Sequence, residues 1–501
     1  MRERELAEKR PVMKIRLENF RLFRDSNWFN LAPLTCLVGR NSSGKTSILS
    51  AILLLKQSIE GETMARGITP LILSGPYCDL GDYADVVYNH QPQSEISFSF
   101  SMGLPDLHKA SMQSATPIVD LSVPRSSGGG RAGYFYSRFD TKIPSKGEVQ
   151  ARLTFSVSKP FGPSLSRLEL TVSNAGSARF IRTIRGERRQ HWRTYLTGLP
   201  PKIILFSPFG RSLFPRISIR DKVYDRSTRG EKRAARLFVV VTTSLFRYLQ
   251  RALWDSSVIG PFRTPPERRY AFGGFGASRG GPNGEQAINL LITETMLRSS
   301  GATSLHSALA FWIKHLKLAR SLRVRDIAKR LNLFEVDVKG TGVGAKANLA
   351  DVGFGVSQIL PVLVEGLLMR RGGIYLVQQP EIHLHPDAQA GLADFLIYLA
   401  CNGVITVVET HSEYLLLRLR RRLAEGGRPV MPHNRKSTFA MPRLNKNEVS
   451  VLFTGTDDGE VVVRELEIGE SFQFENLPSG FMSQALDDRL ALLKAIGRRH
   501  A

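Results

Sequence analysis

The chain has 501 residues, of which 42% are hydrophobic and 23% charged, a composition typical of soluble globular proteins with more than one lobe. No apolar run reaches the roughly 18 residues of a membrane span, and the first residues lack the apolar core of a secretory signal. We therefore expect no membrane partner. The net charge of +24 favours a polyanionic or acidic partner.

The basic residues are clustered, which favours DNA or RNA as the partner over an evenly solvated basic surface or an acidic protein. The clusters are Arg179 to Arg193, Arg229 to Arg236, Arg418 to Arg422 and Arg435 to Arg443. The 3 cysteines are far apart and lack the spacing of a metal site or a disulfide framework. We therefore expect a protein of the reducing cytoplasm.

Along the chain, residues 14–20 alternate between apolar and polar types, as a strand does. A second apolar stretch at 34–38 ends in a glycine-rich turn, and an apolar stripe at helical spacing follows over 46–56. This order predicts a strand, a loop and a helix at the start of the domain.

Alternating runs at 96–100, 153–157 and 168–172 predict antiparallel strands, and residues 230–255 have a helical pattern. Two segments rich in small residues, Ser126 to Gly133 and Gly273 to Gly284, predict flexible loops. Short apolar runs at 374–377 and 404–408 are typical of buried parallel strands.

The fold class that follows is α/β: a mixed sheet flanked by helices, with an α+β insertion and a small C-terminal cap. The predicted boundaries are 1–95 for the first part of the main α/β domain, 96–255 for the insertion, 256–428 for the second part of that domain and 429–501 for the cap.

A phosphate-binding loop lies between the predicted strand and helix. Its residues are Gly39, Arg40, Asn41, Ser42, Ser43, Gly44, Lys45 and Thr46, followed by Ser47. They fit the G-x-x-x-x-G-K-[ST] pattern at every fixed position. Such a loop turns successive backbone N–H groups and a helix N-terminus toward phosphates, with Lys45 on the β/γ-phosphates and Thr46 on Mg²⁺. The loop predicts ATP and Mg²⁺ as cofactors.

Polar residues also follow the two later predicted strands. Gln378, Gln379 and Glu381 come at the end of the first, and Glu409 and His411 at the end of the second. The carboxyl ends of parallel strands form the ligand crevice of α/β sheets, so we expect these side chains at the nucleotide. A glycine-serine turn containing Gly355, Ser357 and Gln358 opens an apolar helix; alone, such a turn is a weak signal.

Taken in order, these motifs resemble the ABC-class P-loop ATPases of the OLD-like and SMC-like group, and most closely the ATPase subunit of Septu-type bacterial anti-phage systems. The segments that carry the resemblance are 14–20, the phosphate-binding loop, Gly260 to Arg263 with Pro266 to Tyr270, Val352 to Leu363, Pro380 to Pro386, Thr410 to Tyr414 and Asn476 to Phe481. The resemblance implies an ABC-type head that forms a homodimer, or a higher oligomer, around two ATP molecules.

The resemblance also implies roles for individual residues. Gly355, Ser357 and Gln358 would contact the γ-phosphate of ATP bound to the other head, and His411 matches the switch histidine that senses that phosphate. Arg263 is either a nucleotide- or DNA-responsive group or half of a structural ion pair.

The sequence departs from this pattern at Gln378 and Gln379, where relatives carry an acidic residue. An amide has the shape of a carboxylate and can occupy the metal position, as we expect for Gln378, but it cannot take a proton. Three explanations stay open: Glu381 or Glu409 supplies the base, the chain is a slow gate, or a Glu→Gln change was introduced to trap ATP.

Members of the OLD branch often append a nuclease, but Asp457 and Asp458 fit a hairpin turn better than a metal site. Any nuclease would come from a partner. The leading hypothesis is a nucleotide-gated dimer that restrains or recruits an effector nuclease, or another defence protein, in an anti-phage complex. The alternatives are a DNA-repair or chromosome-maintenance ATPase and a nucleotide-binding scaffold that does not hydrolyse ATP.

Overall fold

The computed structural model describes residues 12–61, 71–112, 143–158, 162–185, 189–207, 213–273, 281–297, 305–328, 331–341, 346–426 and 443–478. Four predicted features lie wholly or largely outside these residues: the loop at 126–133, most of the loop at 273–284, most of the basic cluster at 435–443 and the end of the 476–481 motif.

The helices are α1 Lys45–Glu60, α2 Tyr83–Val86, α3 Leu104–Met112, α4 Asp221–Arg226, α5 Arg229–Trp254, α6 Ala287–Leu297, α7 Leu305–His315, α8 Phe354–Leu368, α9 Pro386–Cys401 and α10 Glu413–Ala424. The strands are β1 Met13–Phe20, β2 Phe23–Asp25, β3 Phe29–Leu31, β4 Leu34–Gly39, β5 Ile96–Gly103, β6 Glu148–Ser158, β7 Gly162–Val172, β8 Gly176–Arg185, β9 Arg189–Thr197, β10 Ile204–Ser207, β11 Arg216–Ile219, β12 Ser257–Ile259, β13 Tyr270–Ala271, β14 Ser321–Ala328, β15 Leu333–Lys339, β16 Lys346–Asn348, β17 Ile374–Gln378, β18 Ile405–Glu409, β19 Val449–Asp457, β20 Glu460–Ile468 and β21 Phe474–Glu475.

The central sheet has the order β12-β17-β18-β4-β19-β20-β21. Its first five strands run parallel to one another. The sixth, β20, is antiparallel to β19, and β21 is antiparallel to β20. The predicted buried parallel strands at β17 and β18 are therefore confirmed. Parallel strands end at one common edge, so the last residues of β4, β17 and β18 lie together there.

Both faces of this sheet are covered. On β17, Tyr375 and Val377 belong to one hydrophobic core with α6 to α10, whereas Ile374 and Leu376 belong to the other core with α1 and α5. Successive side chains of a strand point to opposite faces of the sheet, so a strand that is apolar throughout contributes to the cores on both faces. The edge at which β4, β17 and β18 end is therefore held between two packed layers of helices.

The antiparallel strands predicted in the insertion are also confirmed. They continue a sheet that starts before the phosphate-binding loop, in the order β2-β1-β5-β6-β7-β8-β9 with β3 beside β1. Two further small sheets are formed by β10 with β11 and by β13, β14, β15 and β16. The long α5, which is the predicted helix at 230–255, contacts α1, α3, β6, β7 and β11. It therefore packs both against other elements of the predicted insertion and against the helix that follows the phosphate-binding loop.

The predicted hairpin at Asp457 and Asp458 is confirmed. Asp457 pairs with Glu460, and the two turn residues Asp458 and Gly459 both have positive φ, 48° and 82°, as the hairpin turns that match strand twist require. Its first strand, β19, pairs with β4. Residues within the range expected to form a cap thus extend the ATPase sheet. Within the described ranges, every helix is too short or too polar to cross a membrane.

Candidate nucleotide-binding site

The phosphate-binding loop joins β4 to α1, and its two fixed glycines have backbones that other residues avoid. Gly39 has φ 141° and Gly44 has φ 105°. A Cβ on Gly39 would lie 2.4 Å from the Thr454 carbonyl oxygen of β19. The loop is therefore packed tightly against β19 on one side, where the Ser43 and Thr454 hydroxyls are 2.6 Å apart.

The other side of the loop is open. Asn41, Ser42 and Thr46 are exposed. Lys45 is buried, and its Nζ donates to the Gly39 and Arg40 carbonyl oxygens over 2.9 and 2.6 Å. Burial lowers the pKa of Lys45, and the nearby Glu409 opposes this shift.

These residues fit a nucleotide phosphate with its Mg²⁺. The Lys45 ammonium is held at the loop by carbonyls, which phosphate oxygens can replace as stronger acceptors. The N-terminus of α1 and the exposed Thr46 hydroxyl complete the donor set. Ser47 is buried behind the loop, and its backbone N–H bonds Gly44.

The ends of β17 and β18 meet next to this loop. Gln378 is directly opposite Glu409, which is directly opposite Leu37 of β4. The Gln378 Nε2 donates to Glu409 Oε2 over 3.3 Å. Burial raises the pKa of the Glu409 carboxyl, while the Gln378 amide and the Lys45 charge lower it in part.

Glu381 has a supporting position. Its Oε1 accepts a 2.6 Å hydrogen bond from the His411 backbone N–H, so it fixes the segment after β18. Its Oε2 is buried and has no hydrogen-bond partner among the described residues. Burial raises the pKa of this carboxyl. His411 itself is exposed, and partial desolvation, with the Lys45 charge, lowers the pKa of its imidazole.

Arg263 holds the end of β17. Its Nη2 donates to the carbonyl oxygens of Gln378 and Gln379 over 2.9 and 3.2 Å. Gln379 has φ 43°, and its N–H donates to the Glu409 carbonyl over 2.7 Å. Among the described residues, no carboxylate lies within ion-pair distance of Arg263. Burial lowers the pKa of its guanidinium, and the nearby charge of Glu381 opposes this shift, so both expected roles of Arg263 stay predictions.

The glycine-serine turn is partly exposed and partly buried. Gly355 touches the strand-end loop, since a Cβ there would lie 2.9 Å from the His383 carbonyl oxygen. Ser357 and Gln358 are buried, and the Ser357 hydroxyl bonds the Phe354 carbonyl oxygen of its own helix. The exposed side chain at the start of α8 is that of Phe354. The structure thus brings Gly355 to the site surface but turns Ser357 inward.

One predicted basic surface is corrected by the structure. Arg418 and Arg422 pair with Asp394, which is fully buried, and Arg421 pairs with Glu425. Three of the four arginines in the cluster at 418–422 thus share two carboxylates, so the chain's own acidic residues neutralise part of the charge of this cluster. In the cluster at 179–193, Arg179 pairs with Glu169.

Part of the cluster at 229–236 is exposed, together with two basic residues that precede it. Lys222, Arg226, Arg229 and Arg233 are exposed on α4 and the start of α5, and we call these four residues the α4–α5 surface. Within the described part of the chain, none of the four has an ion pair. Arg229 and Arg233 also lie in the first turns of α5, where the helix dipole disfavours cations.

Two stretches of the chain, 12–94 and 309–416, match the family model described as AAA ATPase domain. They contain the phosphate-binding loop, α8, β17, β18 and the segment with His411. The two stretches form a P-loop ATPase head. The predicted mixed α/β head, with sheets flanked by helices, is confirmed.

Solved SMC head structures are similar to this chain at low identity. An SMC head bound to the C-winged helix domain of ScpA is 11% identical, covers 92% of this chain and 98% of its own, and gives a TM-score of 0.41. The SMC head of Thermotoga maritima is 10% identical over 91% and 99%, with a TM-score of 0.35. A Pyrococcus furiosus SMC head with an extended coiled coil is 9% identical over 97% and 99%, with a TM-score of 0.37. Comparison with curated proteins gave no match.

Proposed function

We propose that this chain is a Mg²⁺- and ATP-dependent gate: ATP binding pairs two heads, and the paired state restrains or recruits an effector. The observation that carries the proposal is the convergence at one sheet edge of the Lys45 loop, the Gln378–Glu409 pair and His411. All are charged or polar groups at the ends of buried strands or in the segments that follow them. The charges of Lys45 and Glu409 act on each other's pKa, and the charge of Lys45 also lowers the pKa of His411.

Exposed aromatic residues beside the site support pairing of heads. Phe262 is 84% exposed next to Arg263, and Phe354 is 63% exposed at the start of α8, with its ring centroid 5.8 Å from that of His383. Large exposed aromatic side chains are costly to leave in water and are enriched in protein interfaces. A second head that covers this edge would bury both rings and exclude water from the phosphates.

The α4–α5 surface supports a nucleic acid partner. Four exposed cations on adjoining helices lack carboxylate partners in the described ranges, and Glu231 beside them is engaged as the capping partner of Thr228. Phosphate backbones neutralise such a cluster and release counterions, which is the main source of non-specific affinity for DNA and RNA. We assign DNA or RNA binding to this surface in place of the 418–422 cluster.

The resemblance to the ATPase subunit of Septu-type systems supports a place in bacterial anti-phage defence, with the nuclease on another chain. A second function, that of a scaffold which binds but does not hydrolyse ATP, is favoured by the amides at Gln378 and Gln379. Both functions share ATP binding and differ in turnover.

The test is a mass measurement in solution. Light scattering of the purified chain with Mg²⁺ and a non-hydrolysable ATP analogue should give twice the mass seen without nucleotide, and Lys45→Ala should remain at the lower mass. Phage plating on cells that carry the complete locus should show protection that Lys45→Ala removes. A mass that does not change with nucleotide would overturn the gate. Absence of protection by the complete locus would overturn the defence role, and protection unaffected by Lys45→Ala would overturn its dependence on ATP.

A further inference from the structure

The end of β17 presents two amides where Mg²⁺-dependent nucleotide sites commonly use a carboxylate. An amide oxygen is a neutral and weaker ligand for a hard cation than a carboxylate oxygen. Gln379 is also fixed in a left-handed backbone conformation by the Glu409 carbonyl and Arg263. The end of β17, where a carboxylate would be expected, therefore carries no negative charge.

The neighbouring strand carries that charge at the same level of the sheet. Glu409 is the register partner of Gln378, and their side chains are joined by the 3.3 Å hydrogen bond. On its other side, β18 pairs with β4, where Glu409 lies opposite Leu37, two residues before Gly39. The carboxylate therefore stands between the amide of β17 and the phosphate-binding loop.

Glu409 is poorly compensated for a buried carboxylate. It is 6% exposed, and no Lys, Arg or His of the described residues lies within ion-pair distance of it. Burying an ionised carboxylate with an amide as its side-chain partner is costly unless a cation joins it. Lys45 influences it electrostatically but is hydrogen-bonded to Gly39 and Arg40.

The other carboxylate of the region is already in use. Glu381 Oε1 accepts from the His411 N–H, which ties it to the segment after β18. Its Oε2 has no hydrogen-bond partner among the described residues, but the positive charge of Arg263 lowers the pKa of this carboxyl, so Glu381 has a nearby compensating cation of its own. Glu409 is thus the carboxylate whose strand position and surroundings suit a cation at the phosphate-binding loop.

We infer that Glu409 supplies the carboxylate that holds Mg²⁺ and its water shell at this site, in the role that β17 leaves to amides. The inference rests on the proposed binding of Mg²⁺ and ATP. It assigns Gln378 a positioning role: its Nε2 donates to the Glu409 carboxylate and orients it, while its Oε1 lies on the side of Gly260, where a Cβ would be 3.7 Å away. In this site the carboxylate would come from β18 and the neighbouring amide from β17, in one register pair.

The experiment measures the Mg²⁺ dependence of nucleotide binding, without any need for turnover. A fluorescent ATP analogue is titrated with Mg²⁺ in the presence of the purified full chain, of Glu409→Gln and of the exchange variant Gln378→Glu/Glu409→Gln. Glu467→Gln, an exposed residue of β20, is the matched control. Glu409→Gln should raise the half-saturating Mg²⁺ by about 10- to 100-fold, the usual loss when a metal site is disturbed. The exchange variant should recover most of that loss, because it returns one carboxylate to the same register pair.

The possible results distinguish failure of the proposed function from failure of the role of Glu409 alone. If the parent chain binds no nucleotide with or without Mg²⁺, the proposed function fails and this inference with it. If the parent binds and Glu409→Gln shows the same Mg²⁺ dependence as Glu467→Gln, the inference alone is overturned. Residual binding of the analogue by Glu409→Gln in EDTA, at the parent's level, checks that the variant is folded.

Discussion

Gln378 and Glu409 face each other at the ends of two neighbouring parallel strands, and the amide donates to the carboxylate over 3.3 Å. The amide at the end of β17 thus lies in contact with a carboxylate on the next strand. The amide donates one hydrogen bond to the carboxylate but brings no charge to balance it, whereas two acids in contact would repel each other until a cation joined them. In the proposed site, Mg²⁺ would therefore bind beside a single carboxylate.

Gln378→Glu would place two carboxylates in contact. We expect the variant to have a lower melting temperature in EDTA and a larger gain from Mg²⁺ than the parent, because the cation relieves the repulsion. ATP turnover should rise by about 10²-fold if a missing acid limits hydrolysis. Phosphate release and thermal melts with and without Mg²⁺ measure both effects. Gln473→Glu, at an exposed position, is the control; equal behaviour of the two variants would contradict the expectation.

Lys45→Ala should weaken ATP binding at least tenfold, since one charge-assisted hydrogen bond contributes about 1.5 to 3 kcal/mol. The fold should survive, because α1 is held by the buried apolar residues of the larger core. Lys14→Ala, at an exposed position of β1, controls for the loss of a positive charge elsewhere. Equilibrium binding of labelled ATP provides the comparison, and equal affinities in the two variants would remove the phosphate-binding role from the loop.

The parts of the site predicted from sequence are those fixed by short stretches of chain. Gly39 to Thr46 carries its glycines, lysine and helix start in one segment, and β17 and β18 are continuous apolar runs bounded by polar ends. Each depends on local backbone rules, so the sequence predicts them without knowledge of packing.

The contacts that escaped prediction join distant segments. Arg263 reaches the Gln378 carbonyl across 115 positions of sequence, and its bond is to backbone, which leaves no complementary residue type to detect. Arg422 was expected on a basic surface, yet its partner Asp394 lies on another helix. The inward turn of Ser357 depends on how α8 packs, which its glycine-serine motif does not encode.

The α4–α5 surface should give salt-dependent affinity for DNA or RNA. Arg229→Glu with Arg233→Glu changes two of its cations, and each lost phosphate contact should reduce the slope of log affinity against log salt by about 1. Anisotropy of a labelled oligonucleotide across a salt series measures this. Arg268→Glu is the control, because Arg268 is exposed but pairs with Asp351. Binding that is independent of salt, or equal losses in both variants, would assign the surface to a protein partner.

Asp394 joins three helices and offers a test of stability that is independent of nucleotide. It is fully buried on α9 and accepts from His315 of α7 and from Arg418 and Arg422 of α10. Burial opposes its ionised form, but the hydrogen bonds from Arg422 and His315 and the charges of the two arginines outweigh burial, so the pKa falls from 3.8 to about 2.

Because the pKa in the folded protein is lower than in the unfolded chain, the stabilisation by Asp394 is fully present above pH 3.8 and disappears as the pH falls toward 2. Asp394→Asn removes the buried anion shared by two half-buried arginines, of which Arg422 keeps Glu425 as a partner. We expect it to lower the free energy of unfolding at neutral pH by about 3 kcal/mol, the lower end of the usual loss for a broken buried pair. Asp387→Asn, on the same helix with an exposed partner Lys317, should change stability much less. Urea unfolding at pH 7 and near pH 3 compares them: the gap between the parent and Asp394→Asn should narrow at the lower pH, and a gap that stays constant would show that Asp394 acts through packing alone.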